Sequence, residues 1–236
     1  MTRKWNVKIE HFEEIESTQN YPVNFPLQEK DLYCIFARTQ TGGQGRGDRL
    51  WISPLGNFYG TFIFKKPLET KFPLPTLSLM AAAILSKSLR SHLHPCPVIQ
   101  LKWPNDVLIH GKKCAGILLT STATQIRIGL GLNILTKPLF DPKKMTRVPL
   151  ALNDLPLEAP FDAKAWLRSF LQHLIEFYSL WLQGEDHPWR ELWAQQGLFE
   201  TTLKLRNGSV VVPSGIGQQG ELLCEGGQCL YHEELI

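Results

Sequence analysis

The chain has little net charge, no long apolar run and no paired cysteines, and each shortage removes a class of protein. Cys34, Cys96, Cys114, Cys224 and Cys229 are odd in number and show no CxxC spacing. With no secretory signal at the start, they read as reduced thiols in a cytoplasmic protein. No apolar run approaches the roughly 20 residues that a membrane helix needs. A formal charge of +3 is too small to argue for nucleic acid. The histidines form no HExxH pattern, and His92 and His94 flank a proline-rich turn, where surface roles are expected. No GK[ST] follows the glycines, which excludes a P-loop. Neither Gly43-x-Gly45 nor Gly129-x-Gly131 completes a dinucleotide fingerprint, because Asp48 and Ile134 hold the last place. No Ser-His-Asp or Cys-His arrangement offers a protein nucleophile.

What remains is 236 residues, 43% hydrophobic and 20% charged, enough for one good-sized core with a small appended domain. The stretch from Arg38 to Asn57, RTQTGGQGRGDRLWISPLGN, concentrates the chemistry. Its glycines let the main chain approach a ligand closely. Arg46 and Arg49 offer forked donors that match phosphate and carboxylate oxygens. The functional reading is a loop that closes over an anion; the plain alternative is a surface loop with solvated arginines.

In chain order, Trp5 to Glu14 alternates Trp5, Val7 and Ile9 with polar residues, which predicts a half-buried strand. Glu16-Ser17-Thr18-Gln19 follows, either as a helix cap or as hydroxyls and an amide free to bind a neutral polar ligand. Leu32–Ala37 and Asn57–Lys65 read as strands on either side of the glycine loop. Leu74–Leu93 reads as a largely buried helix. The second informative stretch is VIQLKWPNDVLIHGKKCAGILLT, from Val98 to Thr120. It reads as three strands carrying Lys102, Asn105, Asp106 and Lys113. Charges among buried strands need partners. A nucleotide with a divalent cation would supply them, and a local Lys102–Asp106 salt bridge is the alternative. Gln125–Ile134 is a further strand, with Asn133 near its end. Asp162 is expected to cap a long helix through Gln183 whose aromatic stripe is core. Pro188 starts a shorter helix. After Gly197, two hairpins read as a small separate β domain, giving domains at 1–197 and 198–236. None of the motif residues falls after Gly197, so packing and partner contact are the work expected there.

Taken together, EIEST (Glu14 to Thr18), QTGGQGRGDRLWISPLGN (Gln40 to Asn57), KWPNDVLIHGKKCAGIL (Lys102 to Leu118) and GLGLN (Gly129 to Asn133) resemble the biotin–protein ligase family. The resemblance covers roughly residues 5 to 135. It implies an α+β fold, with a mixed sheet packed by helices in the class II synthetase-like manner and an SH3-like C-terminal barrel. It also implies a ligase that uses ATP and Mg2+ to make biotinyl-5′-AMP and passes the biotinyl group to a lysine of a biotin carboxyl carrier protein. Ser17, Thr18, Gln19 and Gln40 would hold the ureido end of biotin. Gln44, Gly45 and Arg46 would cover the acyl phosphate. Lys113, with Gly116 beside it, would lie against the reacting carboxyl, so that Arg46 and Lys113 are the catalytic pair. Arg49, Trp51, Lys102, Asn105, Asp106 and Asn133 would serve the nucleotide, with Mg2+ carried mainly by its phosphates.

Two positions depart from the family pattern: Gln44 stands where GRGR would place an arginine, and Asp48 where a glycine is usual. The chain starts on the catalytic segment, so an enzyme without DNA or membrane binding is expected, and a homodimer is compatible with it. Rival readings are a lipoate or octanoate ligase or transferase of the same fold, and a biotin-binding sensor without turnover.

Overall fold

The computed structural model describes residues 4–47, 49–139, 141, 147–199, 202–205 and 207–231. Seven strands form one sheet: β1 (Asn6–Ile15), β2 (Asp31–Gln40), β3 (Phe58–Lys65), β4 (Ile99–Lys102), β5 (Asp106–Ile109), β6 (Lys112–Ser121) and β7 (Gln125–Leu132). Their order is β1-β2-β3-β7-β6-β5-β4. β1 and β2 run parallel, and every other pair is antiparallel. The sheet is therefore mixed, as expected. Short turns let β4 to β7 fold as a meander of consecutive neighbours.

One helix, α1 (Thr76–Arg90), enters between β3 and β4 and packs across β4 to β7. Its sequence, TLSLMAAAILSKSLR, is apolar nearly all round, and 13 of its residues are buried. A helix of that composition needs cover on both sides. The sheet supplies one side; α2 (Ala163–Gln183) and α3 (His187–Gln196) supply the other. Asp162 caps α2 by accepting from the amides of Lys164 and Ala165, and Gly184 ends it in the left-handed conformation. The expected stripe of Trp166, Phe170, Leu174, Phe177 and Trp181 is buried. Three of the buried tryptophans on these helices find partners for their indole N–H groups. Trp166 donates to Ser88 Oγ at 3.0 Å, Trp181 to Thr76 Oγ1 at 2.8 Å and Trp193 to the Leu79 carbonyl at 2.9 Å. Three tryptophans from two helices thus fix the rotation of α1 against the sheet.

One local expectation is corrected, and one open alternative is decided. Val7 and Ile9 are 39% and 44% exposed, so the alternation in β1 does not mark a buried face. β1 is an edge strand with a neighbour on one side only. Ser17 and Thr18 cap no helix; they lie in a turn between β1 and β2. After α3 come a two-stranded ladder, β8 (Leu203–Lys204) with β9 (Val210–Val211), and a three-stranded sheet of β10 (Pro213–Ile216), β11 (Leu222–Cys224) and β12 (Cys229–Leu230). Both expected hairpins are present, and β10 adds a strand that the sequence did not announce. This segment is tied to the rest by Arg190 of α3, which donates to the carbonyls of Gly217 and Gln218, and by Trp103, whose indole donates to the Gly220 carbonyl at 2.9 Å.

Candidate active site

One register row of the sheet makes the floor of a cavity. Reading across paired strands, Lys102 faces Asp106, Asp106 faces Gly116, and Gly116 faces Gly131. Strands are about 4.8 Å apart, so this row spans roughly 14 Å. The cavity above it holds about 740 Å³. Glycine is required at the centre because another ring occupies the space. A Cβ on Gly131 would lie 2.4 Å from Trp51 Cε2, and one on Gly116 would lie 2.9 Å from Trp51 Cζ3. On the neighbouring row a Cβ on Gly129 would lie 2.5 Å from Gln19 Oε1.

The cavity's first end is polar and uncharged. Ser17, Thr18 and Gln19 are buried. Gln40 Oε1 accepts from the Thr18 amide at 2.8 Å and from Thr18 Oγ1 at 3.1 Å, while its Nε2 donates to Ser53 Oγ at 2.9 Å. Gln19 Nε2 donates to Thr120 Oγ1 at 2.7 Å, and its Oε1 accepts from the buried Thr61 hydroxyl at 3.1 Å. Beneath them the Arg127 guanidinium donates to the carbonyls of Gln19 and Tyr21, both at 2.8 Å. Each side chain is held by its neighbours, which preorganises a set of neutral donors and acceptors.

The opposite end is cationic. Lys113 Nζ stands 2.7 Å from Asp106 Oδ1 and 5.2 Å from the centroid of the Trp51 ring. The angle there is poor for a hydrogen bond, so the contact is chiefly ionic. The expected alternative, a Lys102–Asp106 bridge, is not formed although the two residues face each other across the strands. Burial holds the Lys102 ammonium below its ordinary value; Asp106 offsets this, and Arg147, Lys113 and Arg49 add to it. Burial likewise lowers Arg46, with Arg49 reinforcing and Asp106 opposing. The Arg46 guanidinium donates to Asn105 Oδ1 at 3.2 Å, joining the glycine loop to the β4–β5 turn. The loop is itself a small hairpin, with Gln44 bridged to Leu50 and the Gly45 amide on the Arg49 carbonyl at 2.7 Å. Arg49 is exposed at its edge. Asn133 donates to the Leu150 carbonyl at 3.2 Å, leaving its buried Oδ1 without a partner. Asp48, the second departure from the family pattern, lies outside the described residues.

The cavity brings together every residue singled out from the sequence: Ser17, Thr18, Gln19, Gln40, Gln44, Gly45, Arg46, Arg49, Trp51, Lys102, Asn105, Asp106, Lys113, Gly116 and Asn133. It adds Thr120, Trp103 and Arg147. Arg147 gave no signal, because it lies within the proline-rich, irregular stretch from Asp141 to Pro160, which reads only as a surface loop. Asp106 is the one carboxylate among the lining residues, and no cluster of three His, Cys, Asp or Glu occurs among the described residues. Such a donor set suits a divalent cation that arrives on phosphate oxygens better than one caged by the protein. No helix of the described residues is long and apolar enough to cross a membrane.

Comparison with known proteins agrees with this geometry. A biotin–[acetyl-CoA-carboxylase] ligase of Paracoccus denitrificans is 38% identical over 109 residues, covering 44% of this chain and 45% of that protein. The bifunctional ligase/repressor BirA of Bacillus subtilis is 29% identical over 202 residues, covering 81% of this chain and 61% of that protein. The chain thus spans about half the length of the curated relatives it matches. Among solved structures, the biotin protein ligase of Aquifex aeolicus in complex with biotin and ATP shares the fold with a TM-score of 0.73. The identity is 23%, and 96% of each chain is covered. The Leishmania major biotin protein ligase in complex with biotinyl-5-AMP gives 0.65 at 20% identity, covering 94% of this chain and 98% of that one. The profile of the biotin/lipoate A/B protein ligase family matches residues 11–133, more than half of the sequence and nearly all of the cavity floor, and the chain belongs to that family.

Proposed function

We propose that this protein activates biotin with ATP as biotinyl-5′-AMP and transfers the biotinyl group to a lysine of a biotin carboxyl carrier protein. The observation that carries the reading is the polarity of the cavity along the sheet. A neutral hydrogen-bonding end, with Gln19 seated against Thr61 of β3 and Gly129 of β7, passes to Lys113 on β6 and then to Lys102 at the end of β4, with Arg46 and Arg147 lining the cavity from loops. A ligand with a ureido head, a carboxylate tail and a phosphate beyond matches that order. Support also comes from relatives named as biotin ligases and from the folds solved with biotin and ATP or biotinyl-5-AMP.

In this reading Ser17, Thr18, Gln19 and Gln40 receive the ureido ring, and Gly116 with Gly131 lets the Trp51 ring lie low on the floor so that the cavity above stays open. Lys113 and Arg46 face the carboxylate and the α-phosphate. Negative charge gathers there as the carboxylate oxygen bonds to phosphorus, and fixed cations stabilise it electrostatically. Backbone of Gln44 and Gly45 covers the mixed anhydride and shields it from water. Asn105, Asp106, Arg49 and Trp51 serve the nucleotide. The unpartnered Asn133 Oδ1 is an acceptor suited to the exocyclic amine of adenine. Asp106 is the nearby carboxylate that could help hold a Mg2+ carried on the ATP phosphates, where the ion would offset their charge. The segment after Gly197 is a separate small domain of SH3-like type, supported by its own three-stranded sheet.

The test is a streptavidin blot of a carrier domain incubated with the protein, biotin, ATP and Mg2+. Labelling that needs both ATP and biotin supports the reading. A carrier that stays unlabelled, while lipoate in place of biotin modifies a lipoyl domain, would assign the protein to the other branch of its family.

A further inference from the structure

Lys102 and Arg147 are two of the cavity's cations that the biotin and α-phosphate contacts do not use. Lys102 ends β4, the edge strand of the sheet, and has no hydrogen-bond or ion-pair partner among the described residues. Arg147 lines the same cavity from the segment after β7, and its hydrogen bond among the described residues is a long one, 3.3 Å, to the Gly111 carbonyl. The two are close enough for Arg147 to help depress the Lys102 ammonium. The carboxylate near Lys102, that of Asp106, is ion-paired with Lys113, so the added positive charge of Arg147 is unfavourable unless a ligand supplies an anion.

The chemistry says which anion. In adenylation a carboxylate oxygen bonds to the α-phosphorus, and the bond from that phosphorus to the bridging oxygen breaks. The electron pair leaves on pyrophosphate, with incoming and outgoing oxygens in line. The uncharged end of the cavity lies on β3 and β7, and Lys113 lies on β6, so the carboxylate approaches from that side. The leaving group must then emerge toward the β4–β5 side of the cavity, which Lys102 lines from the end of β4 and Arg147 from beside the β5–β6 turn. We infer that Lys102 and Arg147 form the subsite that receives the pyrophosphate leaving group. This inference rests on the biotin-activation reading. It gives Arg147 a role that neither the motifs nor the relatives' names assign.

The experiment is exchange of labelled pyrophosphate into ATP by the full chain in the presence of biotin. Losing one charge-assisted contact corresponds to roughly tenfold or more in affinity. Arg147→Gln should therefore raise the KM for pyrophosphate by about that factor. Retention of presynthesised biotinyl-5′-AMP should stay at the wild-type level, because pyrophosphate has already left. Arg147→Lys, which keeps the charge, should recover most of the loss, and thermal unfolding of both variants should match the wild type. An unchanged KM in Arg147→Gln, or a parallel fall in adenylate retention, overturns the subsite. Wild-type protein that shows no biotin-dependent exchange overturns the biotin reading itself.

Discussion

Asp106 faces Lys102 across the β4–β5 ladder, yet its carboxylate sits 2.7 Å from Lys113. The arrangement holds Lys113 over Trp51 at the middle of the cavity floor and leaves Lys102 free of a carboxylate. If Lys113 is the cation at the reacting carboxyl, Lys113→Ala should lower biotin-dependent adenylate formation by roughly a hundredfold to a thousandfold, the range for one lost transition-state donor. Single-turnover formation of biotinyl-5′-AMP measures this, and thermal unfolding checks that the fold is kept. Normal adenylation in a folded variant would remove Lys113 from the chemistry.

Gly131 is a second point of leverage. A methyl there would fall 2.4 Å from Trp51 Cε2 and must push the indole off the floor. Gly131→Ala should weaken biotinyl-5′-AMP binding by about tenfold or more. The double variant Gly131→Ala/Trp51→Ala should lose no more than Trp51→Ala alone, because the clash is then absent. Fully additive losses, by calorimetric titration, would show that Trp51 is not the route of the effect.

Much of this site was legible in the sequence, because its residues cluster in two short stretches whose types are costly anywhere but at a ligand. KWPND through Gly116 was readable since buried strands tolerate lysine and aspartate only with partners. The glycine loop was readable from composition, though its closure into a hairpin through Gln44 and Leu50 was not. Arg147 was hidden because a single arginine in a proline-rich segment has no periodicity to mark it. β1 misled for a physical reason: alternation reports a strand, but which face is covered depends on the edge position that the sheet order alone decides. A Lys102–Asp106 bridge was the alternative reading, and Lys113 reaches that carboxylate instead, from the strand on the other side.

If Lys102 meets the nucleotide phosphates, the nucleotide affinity should depend on pH. Its free-state value lies below the ordinary 10.5, chiefly through burial, while bound phosphate favours the charged form and raises it. ATP affinity is then full below the free-state value and is lost as pH rises through it toward the bound-state value. The decline should begin at a lower pH than for an exposed lysine. Lys102→Arg, whose group keeps its proton, should flatten that alkaline limb. Titrations of ATP binding across the alkaline range check this; identical limbs in wild type and variant would exclude Lys102.

Trp103 links the β4–β5 turn to the C-terminal segment through its bond to the Gly220 carbonyl, while Gly220 packs on Thr76 and Leu79. Trp103→Phe removes one bond, worth about 1 kcal/mol, and keeps most of the ring packing. The KM for ATP should rise severalfold with the KM for biotin unchanged, because Lys102 and Asn105 flank Trp103 while the uncharged end lies on β3 and β7. Equal changes for both substrates in steady-state adenylation would point to a general loss of structure.

The most direct test of biotin activation uses no carrier at all. The protein is mixed with biotin, Mg2+ and ATP labelled at the α-phosphorus, separated from free nucleotide, and its bound label identified by chromatography. The expected result is retained biotinyl-5′-AMP that appears only with biotin and is discharged as AMP when a carrier domain with its target lysine is added. Label that stays in ATP, or that reaches the protein equally without biotin, would contradict the assignment.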